Sequence, residues 1–139
     1  MPHVLVVEDT QLAADMLCAV LQELGCTTEH AEDGAVALEC LLMDADKFQL
    51  ILMDLRMPVM DGFDATRAIK NMGIAVPVVA VTADETFETR SKCEEIGFAG
   101  FHPKPLLPVQ LDKLLRLHTG HQVGGDDVAD SPAAPPPDQ

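Results

Sequence analysis

The chain contains no Trp and no Tyr, so any core it builds is aliphatic. No apolar run approaches the roughly 20 residues that a membrane-spanning helix needs, and membrane insertion is not expected. No basic stretch leading into an apolar segment opens the sequence, so a secretory signal is not expected and a cytoplasmic location is the default. Basic residues are scarce: 9 Lys and Arg stand against 23 Asp and Glu, for a formal net charge of −14. Affinity for nucleic acid comes mostly from Lys and Arg neutralising phosphates, which argues against a nucleic-acid partner and against an anionic membrane surface. Neutral or basic protein faces are the expected partners. The 4 cysteines, Cys18, Cys26, Cys40 and Cys93, form no C-x-x-C and no zinc-ligand spacing, and read as reduced small hydrophobes. The histidines are scattered, apart from His118 and His121 at the frayed end of the last helical pattern. No Gly-rich phosphate loop follows the first strand-like run, which disfavours a nucleotide-binding protein of flavodoxin type.

At 139 residues with 47% apolar content, the chain is long enough for one domain with a real core. Strand-like runs alternate with helical patterns, the signature of βαβ units. The runs are Val4–Val7, about 27–31, Leu50–Met53, Val78–Val81 and the shorter Ala99–Phe101. After the first, Leu12, Met16, Leu17, Val20, Leu21 and Leu24 recur at helical spacing, with Thr10 or Asp9 as cap and Gly25 as stop. A second helix carries Ala35, Leu38, Leu41 and Leu42, and a third turns Phe63, Thr66 and Ile69 inward. A fourth, from about Asp84 to Ile96, has only Phe87, Cys93 and Ile96 as apolar points, so it is held by few contacts and can move at low cost. The fifth starts at Pro108 and packs Leu107, Leu111, Leu114 and Leu115. The expected fold class is α/β, a doubly wound parallel sheet of five strands with five helices. Residues 1–118 form the folded domain. Residues 119–139, rich in Pro and Asp and without Lys or Arg, read as a disordered acidic tail or linker.

Each of four strand-like runs is followed closely by a chemically useful side chain: Glu8-Asp9, Asp54, Thr82 and Lys104. In an open parallel sheet, ligands bind in the crevice beyond the carboxyl ends of the strands, so these groups would share one rim. Converging carboxylates raise one another's pKa unless a cation neutralises them. An oxygen-rich set without imidazole or thiol suits Mg2+ or Mn2+ rather than zinc. Magnesium usually takes one or two carboxylates and keeps several waters, which leaves a carboxylate free as a nucleophile, and Asp is a known phosphoryl acceptor. Lys104 offers a compact positive charge and Thr82 a hydroxyl donor; phosphoryl transfer needs mainly alignment and charge neutralisation. Each piece alone is weak. A Lys-Pro pair or a Thr after a strand is commonly structural, and Glu8-Asp9 can equally cap the first helix. The stretch Asp54–Gly62 is more specific, because Pro58 and Asp61-Gly62 stand at fixed offsets after a buried strand.

Taken together, Val-Val-Glu-Asp at 6–9, Leu-Met-Asp-Leu-Arg-Met-Pro-Val-Met-Asp-Gly at 52–62, Val-Thr-Ala at 81–83 and Lys-Pro at 104–105 resemble the receiver domains of two-component signalling. The resemblance covers residues 3 to about 118 and implies a flavodoxin-like (βα)5 sheet of strand order 2-1-3-4-5. It implies a phosphoacceptor switch rather than a turnover enzyme, with Asp54 taking a phosphoryl group from a phosphohistidine and Lys104 and Thr82 assisting. It implies Mg2+ held by Asp9, Asp54 and the main-chain carbonyl of Arg56, with Glu8 acting through water. Thr82 and Phe101 fall at the switch positions, Arg56 and Asp84 at positions that tune phosphoryl lifetime, and the Lys104–Pro105 peptide is expected to be cis. Arg56 and Asp84 are expected to pair across the site mouth and hinder attacking water. The implied partners are a histidine kinase, a histidine phosphotransfer domain, or both, with the chain a monomer. The output surface is expected at the fourth helix, fifth strand and fifth helix. The stretch Asp64–Lys70 is most similar to receivers of hybrid histidine kinases, either excised or standing alone. Two departures are Pro103 before Lys104 and a switch ring that is Phe rather than Tyr.

Two readings compete. A haloacid-dehalogenase-type phosphatase also uses a nucleophilic Asp after a strand, but it carries a second Asp two residues on, where this chain has Arg56. A receiver-like interaction module without phosphorylation is the other.

Overall fold

Unbroken apolar runs such as Val4–Val7 and Leu50–Met53 suit strands covered on both faces. The computed structural model, which describes residues 2–120, forms them into one parallel sheet of β1 (His3–Val7), β2 (Thr27–Ala31), β3 (Leu50–Asp54), β4 (Val78–Thr82) and β5 (Gly100–Pro103). The helices are α1 (Gln11–Glu23), α2 (Gly34–Asp44), α3 (Gly62–Asn71), α4 (Phe87–Ile96) and α5 (Pro108–Thr119). The strand order is β2-β1-β3-β4-β5, the order the sequence resemblance implied. Side chains alternate between faces along each strand. Val4, Val6, Leu50, Leu52, Val79 and Val81 pack with Leu21 of α1 and with Leu111, Leu114 and Leu115 of α5. Leu5, Val7, Ile51 and Met53 pack with Ala37 and Leu41 of α2 and Ala65 and Ile69 of α3. Leu55, Phe63, Ala80 and Cys93 form a smaller cluster beneath α4.

Register fixes which residues meet at the rim. Val7 aligns with Ala31 and Met53, Asp54 with Val81, and Thr82 with Pro103, so Glu8, Asp54, Thr82 and Lys104 emerge at one level. Short polar side chains open the helices on that side. Asp33 accepts from Val36 N–H at 2.9 Å and Asp61 from Asp64 N–H at 2.9 Å, satisfying donors the helix cannot use itself. Gly62 is required by close approach: a Cβ there would lie 2.3 Å from the carbonyl oxygen of Asp54.

Several local expectations need correction. The fourth helix begins at Phe87, not Asp84, because the Asp84 carboxylate accepts from Thr86 N–H at 3.0 Å and holds residues 84–86 in a turn. Phe87 itself is exposed. Thr10 precedes α1, but its side chain makes no cap hydrogen bond. In α2 the buried positions are Gly34, Ala37 and Leu41, and Leu42, one step around the helix from Leu41, is exposed. Leu107 lies ahead of α5 and is exposed, and Leu12 and Met16 point outward from α1. The four cysteines are free, and burial pushes each thiol up, consistent with inert apolar use. Thr119 ends α5 and Gly120 follows it; the rest of the expected tail, with His121, lies outside the described residues. Among the described residues, no helix is long and apolar enough to cross a membrane.

Candidate functional site

An open cleft of about 520 Å³ sits beyond the carboxyl ends of β1, β3 and β4, lined by Glu8, Asp9, Thr10, Asp54, Arg56, Thr82, Ala83, Asp84 and Lys104. One carboxylate oxygen each from Glu8, Asp9 and Asp54 lies within 4.8 Å of the others. Glu8 and Asp54 are buried and Asp9 is exposed. Lys104 reaches in from the end of β5, its Nζ 2.8 Å from Glu8 Oε1 and 3.4 Å from Asp54 Oδ2. The other oxygens meet main-chain donors: Thr10 N–H on Glu8 Oε2 at 3.2 Å, and Arg56 N–H on Asp54 Oδ1 at 3.2 Å. The hydroxyl of Thr82 accepts from Asp84 N–H at 3.1 Å. The Lys104–Pro105 peptide is cis.

Electrostatics separate the two buried carboxylates. Burial pushes the Asp54 carboxyl up to about 6, the charge of Glu8 adds to this, and Lys104 and Arg56 N–H oppose it. Burial would raise Glu8 too, but its bonds from Lys104 and Thr10 outweigh that and hold it below the ordinary value. Burial alone would lower Lys104; its bond to Glu8 and the charge of Asp54 raise it instead, so it stays an ammonium. With Arg56 paired to Asp84, the carboxylates of Glu8, Asp9 and Asp54 face Lys104 alone, which leaves the cleft short of positive charge. All-oxygen donors at this spacing fit a hard divalent cation.

Over the mouth, the Arg56 guanidinium bonds to Asp84 Oδ2. The same oxygen accepts from Thr89 Oγ1 at 2.7 Å, while Oδ1 takes Thr86 N–H. Those donors, Thr86 N–H first, hold the Asp84 carboxyl well below the usual carboxylate range. Phe101 points toward the cluster under α4, with the Arg90 guanidinium 4.6 Å from its ring centroid. Thus Glu8, Asp9, Asp54, Arg56, Thr82, Asp84 and Lys104 share one cleft, and Phe101 lies outside it on β5. Three participants escaped sequence reasoning. Thr89 was legible only as the end of a Thr86-x-x-Thr89 cap, Arg90 only as a helix cation, and His30, whose Nε2 lies 2.7 Å from the carbonyl of Glu8, carried no local signal.

Residues 4–116 match the family described as the response regulator receiver domain. The chain belongs to that family. A receiver is a phosphoacceptor in two-component signalling, not an enzyme acting on an outside substrate, so the phosphatase reading falls. The receiver is 37% identical to the two-component response regulator ORR41 of Oryza sativa subsp. japonica, over 83% of this chain and 92% of that one. It is 37% identical to histidine protein kinase 1 of Candida albicans over 81% of this chain but only 5% of the kinase. The receiver spans no more than 16% of several further relatives, sensor kinases and a transcription factor among them. Among solved structures it is similar to the receiver of the sensor histidine kinase PA1611 from Pseudomonas aeruginosa, at 31% identity and TM-score 0.78, covering 86% of this chain and 98% of that one. That structure has a magnesium ion coordinated in its active-site cleft. Family membership implies kinase or phosphotransfer partners.

Proposed function

We propose that Asp54 is the phosphoacceptor and that the donor is a phosphohistidine on a kinase or a histidine phosphotransfer domain. One observation carries this reading: a buried Asp54, its carboxyl pushed up to about 6, shares a cleft with Glu8, Asp9, Thr82 and Lys104. Asp9, Asp54 and the main-chain carbonyl of Arg56, with Glu8 through a water, would hold Mg2+, and Mn2+ would serve in its place. When bound, the ion offsets the charge of the carboxylates and of the phosphoryl oxygens. An Asp54 oxygen bonds to phosphorus as the bond from phosphorus to the imidazole nitrogen breaks, its electron pair leaving with the imidazole. The Lys104 ammonium pairs with one phosphoryl oxygen. The Thr82 hydroxyl keeps its own proton to give to another, since in the resting state it accepts from Asp84 N–H. Its inward movement draws Phe101 after it and alters the face made by α4, β5 and α5, the output surface in this reading. The Arg56–Asp84 pair screens the acyl phosphate from water.

A protein donor must bring its histidine to Asp54, so its docking face has to adjoin the cleft. An apolar groove of about 400 Å³ does so, running between α1 and the β5–α5 segment and bounded by Met16, Leu17, Val20, Leu106, Leu107 and Lys104. Met16, on its edge, is 62% exposed, and Leu12, one turn earlier on α1, is 69% exposed. A helical partner laid along α1 would cover them. The charge of −14 favours a monomer, and a relay with a hybrid histidine kinase fits a cytoplasmic domain.

The test is incubation with acetyl phosphate and Mg2+, followed by intact-mass measurement. The native chain should gain one phosphoryl group, lost again in hydroxylamine, and Asp54→Asn should gain none. Labelling on a His or Ser, or equal labelling of the Asn variant, would refute the assignment.

A further inference from the structure

The acidic loop after β1 is held from an unexpected side. Glu8 N–H donates to the carbonyl of Ala31 at 3.0 Å, and the Glu8 carbonyl accepts from His30 Nε2 at 2.7 Å. Because the acceptor is a carbonyl, Nε2 carries the proton. Both anchors come from β2, which pairs only with β1 and forms the edge of the sheet. His30 aligns with Val6, on the face covered by α1, which lets its ring reach two residues further to Glu8. The Glu8 side chain is independently tied by Lys104 and Thr10 N–H. Asp9 is not: it is exposed, and its carboxylate has no hydrogen-bond partner among the described residues. What orients Asp9 is the peptide plane before it, and that plane contains the carbonyl His30 grips.

We propose that His30 is a positioning residue for the cation site, fixing the Glu8–Asp9 peptide so that the Asp9 carboxylate faces Asp54. The role rests on the reading of the cleft as a divalent-cation site, and it concerns how the ligand is aimed rather than what binds. Groups that orient metal ligands from behind typically influence affinity by 10- to 100-fold; acting through backbone, His30 belongs at the low end. Since β2 is an edge strand, water can replace the imidazole on the carbonyl, so global stability should change little when it is removed.

Calorimetric titration with Mg2+ alone, on the full chain and three variants, tests this. His30→Gln keeps an amide nitrogen at the position of Nε2. His30→Leu has no donor, and His30→Asn has a donor too short to reach. Leu and Asn variants should bind Mg2+ about tenfold more weakly than wild type at unchanged thermal unfolding temperature, and Gln should restore wild-type affinity. The Asn variant stands in if Leu prevents folding. Equal affinity in all four proteins, or a Gln variant as weak as Leu, overturns the role of His30 while leaving the phosphoacceptor reading intact. A wild-type chain that takes no Mg2+ overturns both, and phosphorylation of Asp54 reports on the wider reading separately.

Discussion

At the scale of single residues, the proposed chemistry depends on an aspartate whose ionisation the fold resists. Asp54 is the last residue of β3, buried, and beside a second carboxylate that Lys104 keeps ionised. Its carboxyl stands at about 6, against an ordinary value of 3.8. A raised carboxyl pKa means that the folded state prefers the protonated form. The resulting stabilisation is fully present below about pH 4 and is lost as pH rises toward 6. Above that, the ionised group costs on the order of 2–3 kcal/mol, because each tenfold change in its protonation equilibrium is worth about 1.4 kcal/mol. Asp54→Asn removes the charge and keeps the shape. With chelator present, urea unfolding at about pH 8 should give the variant an advantage of roughly 2 kcal/mol, shrinking as pH falls through 6. An advantage independent of pH would mean that the buried charge is not the cause. The position of Asp54 at a strand end was legible because four apolar residues precede it. Its pKa was legible only in sign, since burial and the distance to Glu8 come from tertiary structure.

At the scale of elements, a lightly anchored helix adjoins the proposed chemistry. Helix α4 buries only Thr89 and Cys93, as its weak apolar pattern suggested. What the pattern missed was its start. Asp84 reads as a natural helix opener, but its carboxylate is occupied by Thr86 N–H, Thr89 Oγ1 and Arg56, so the chain turns there and the helix begins at Phe87. The resemblance anticipated the Arg56–Asp84 pair, but the competition of Thr86 N–H and Thr89 Oγ1 for the same carboxylate depends on local backbone geometry that sequence spacing does not report. His30 was illegible for a similar reason: its partner is assigned by the register of β2 on β1. The strands and most helix faces, by contrast, follow from period alone, apart from outward residues such as Leu42. The Asp84 network yields a prediction. Arg56→Ala and Asp84→Ala should shorten the life of the acyl phosphate several-fold, and Asp84→Ala should also speed amide hydrogen exchange in the first turn of α4. Thr89→Val should speed that exchange but leave the lifetime nearer wild type, because the Arg56–Asp84 pair over the mouth survives. If all three variants kept the native lifetime, the pair would not be a barrier to water.

At the scale of the whole molecule, the proposed donor-docking face can be separated from the cleft, because a small phosphodonor needs only the cleft. Exposed apolar side chains on a chain this acidic carry a cost in solubility, and those at Met16 and Leu107 border one groove that ends at Asp54 and Lys104, with Leu12 one turn before Met16 on α1. In α1 the helical period was legible, but whether its outer stripe would meet the sheet or solvent was not. Leu21 and Ala14 satisfy the core, which leaves Leu12 and Met16, one turn apart, for something else. Met16→Glu places a charge on that stripe without changing Glu8, Asp9 or Asp54, the proposed cation ligands. It should reduce phosphotransfer from a phosphorylated histidine kinase or phosphotransfer domain by about tenfold or more, as expected for a charge buried at an interface centre. Labelling by acetyl phosphate should proceed at the native rate, and thermal unfolding should be unchanged within a few degrees. Leu42→Glu, an equally exposed apolar position on α2 and away from the groove, should leave both donors unaffected. Equal losses with both donors would mean that Met16→Glu disturbs the cleft itself. Unimpaired transfer from the protein donor would move the docking face away from α1.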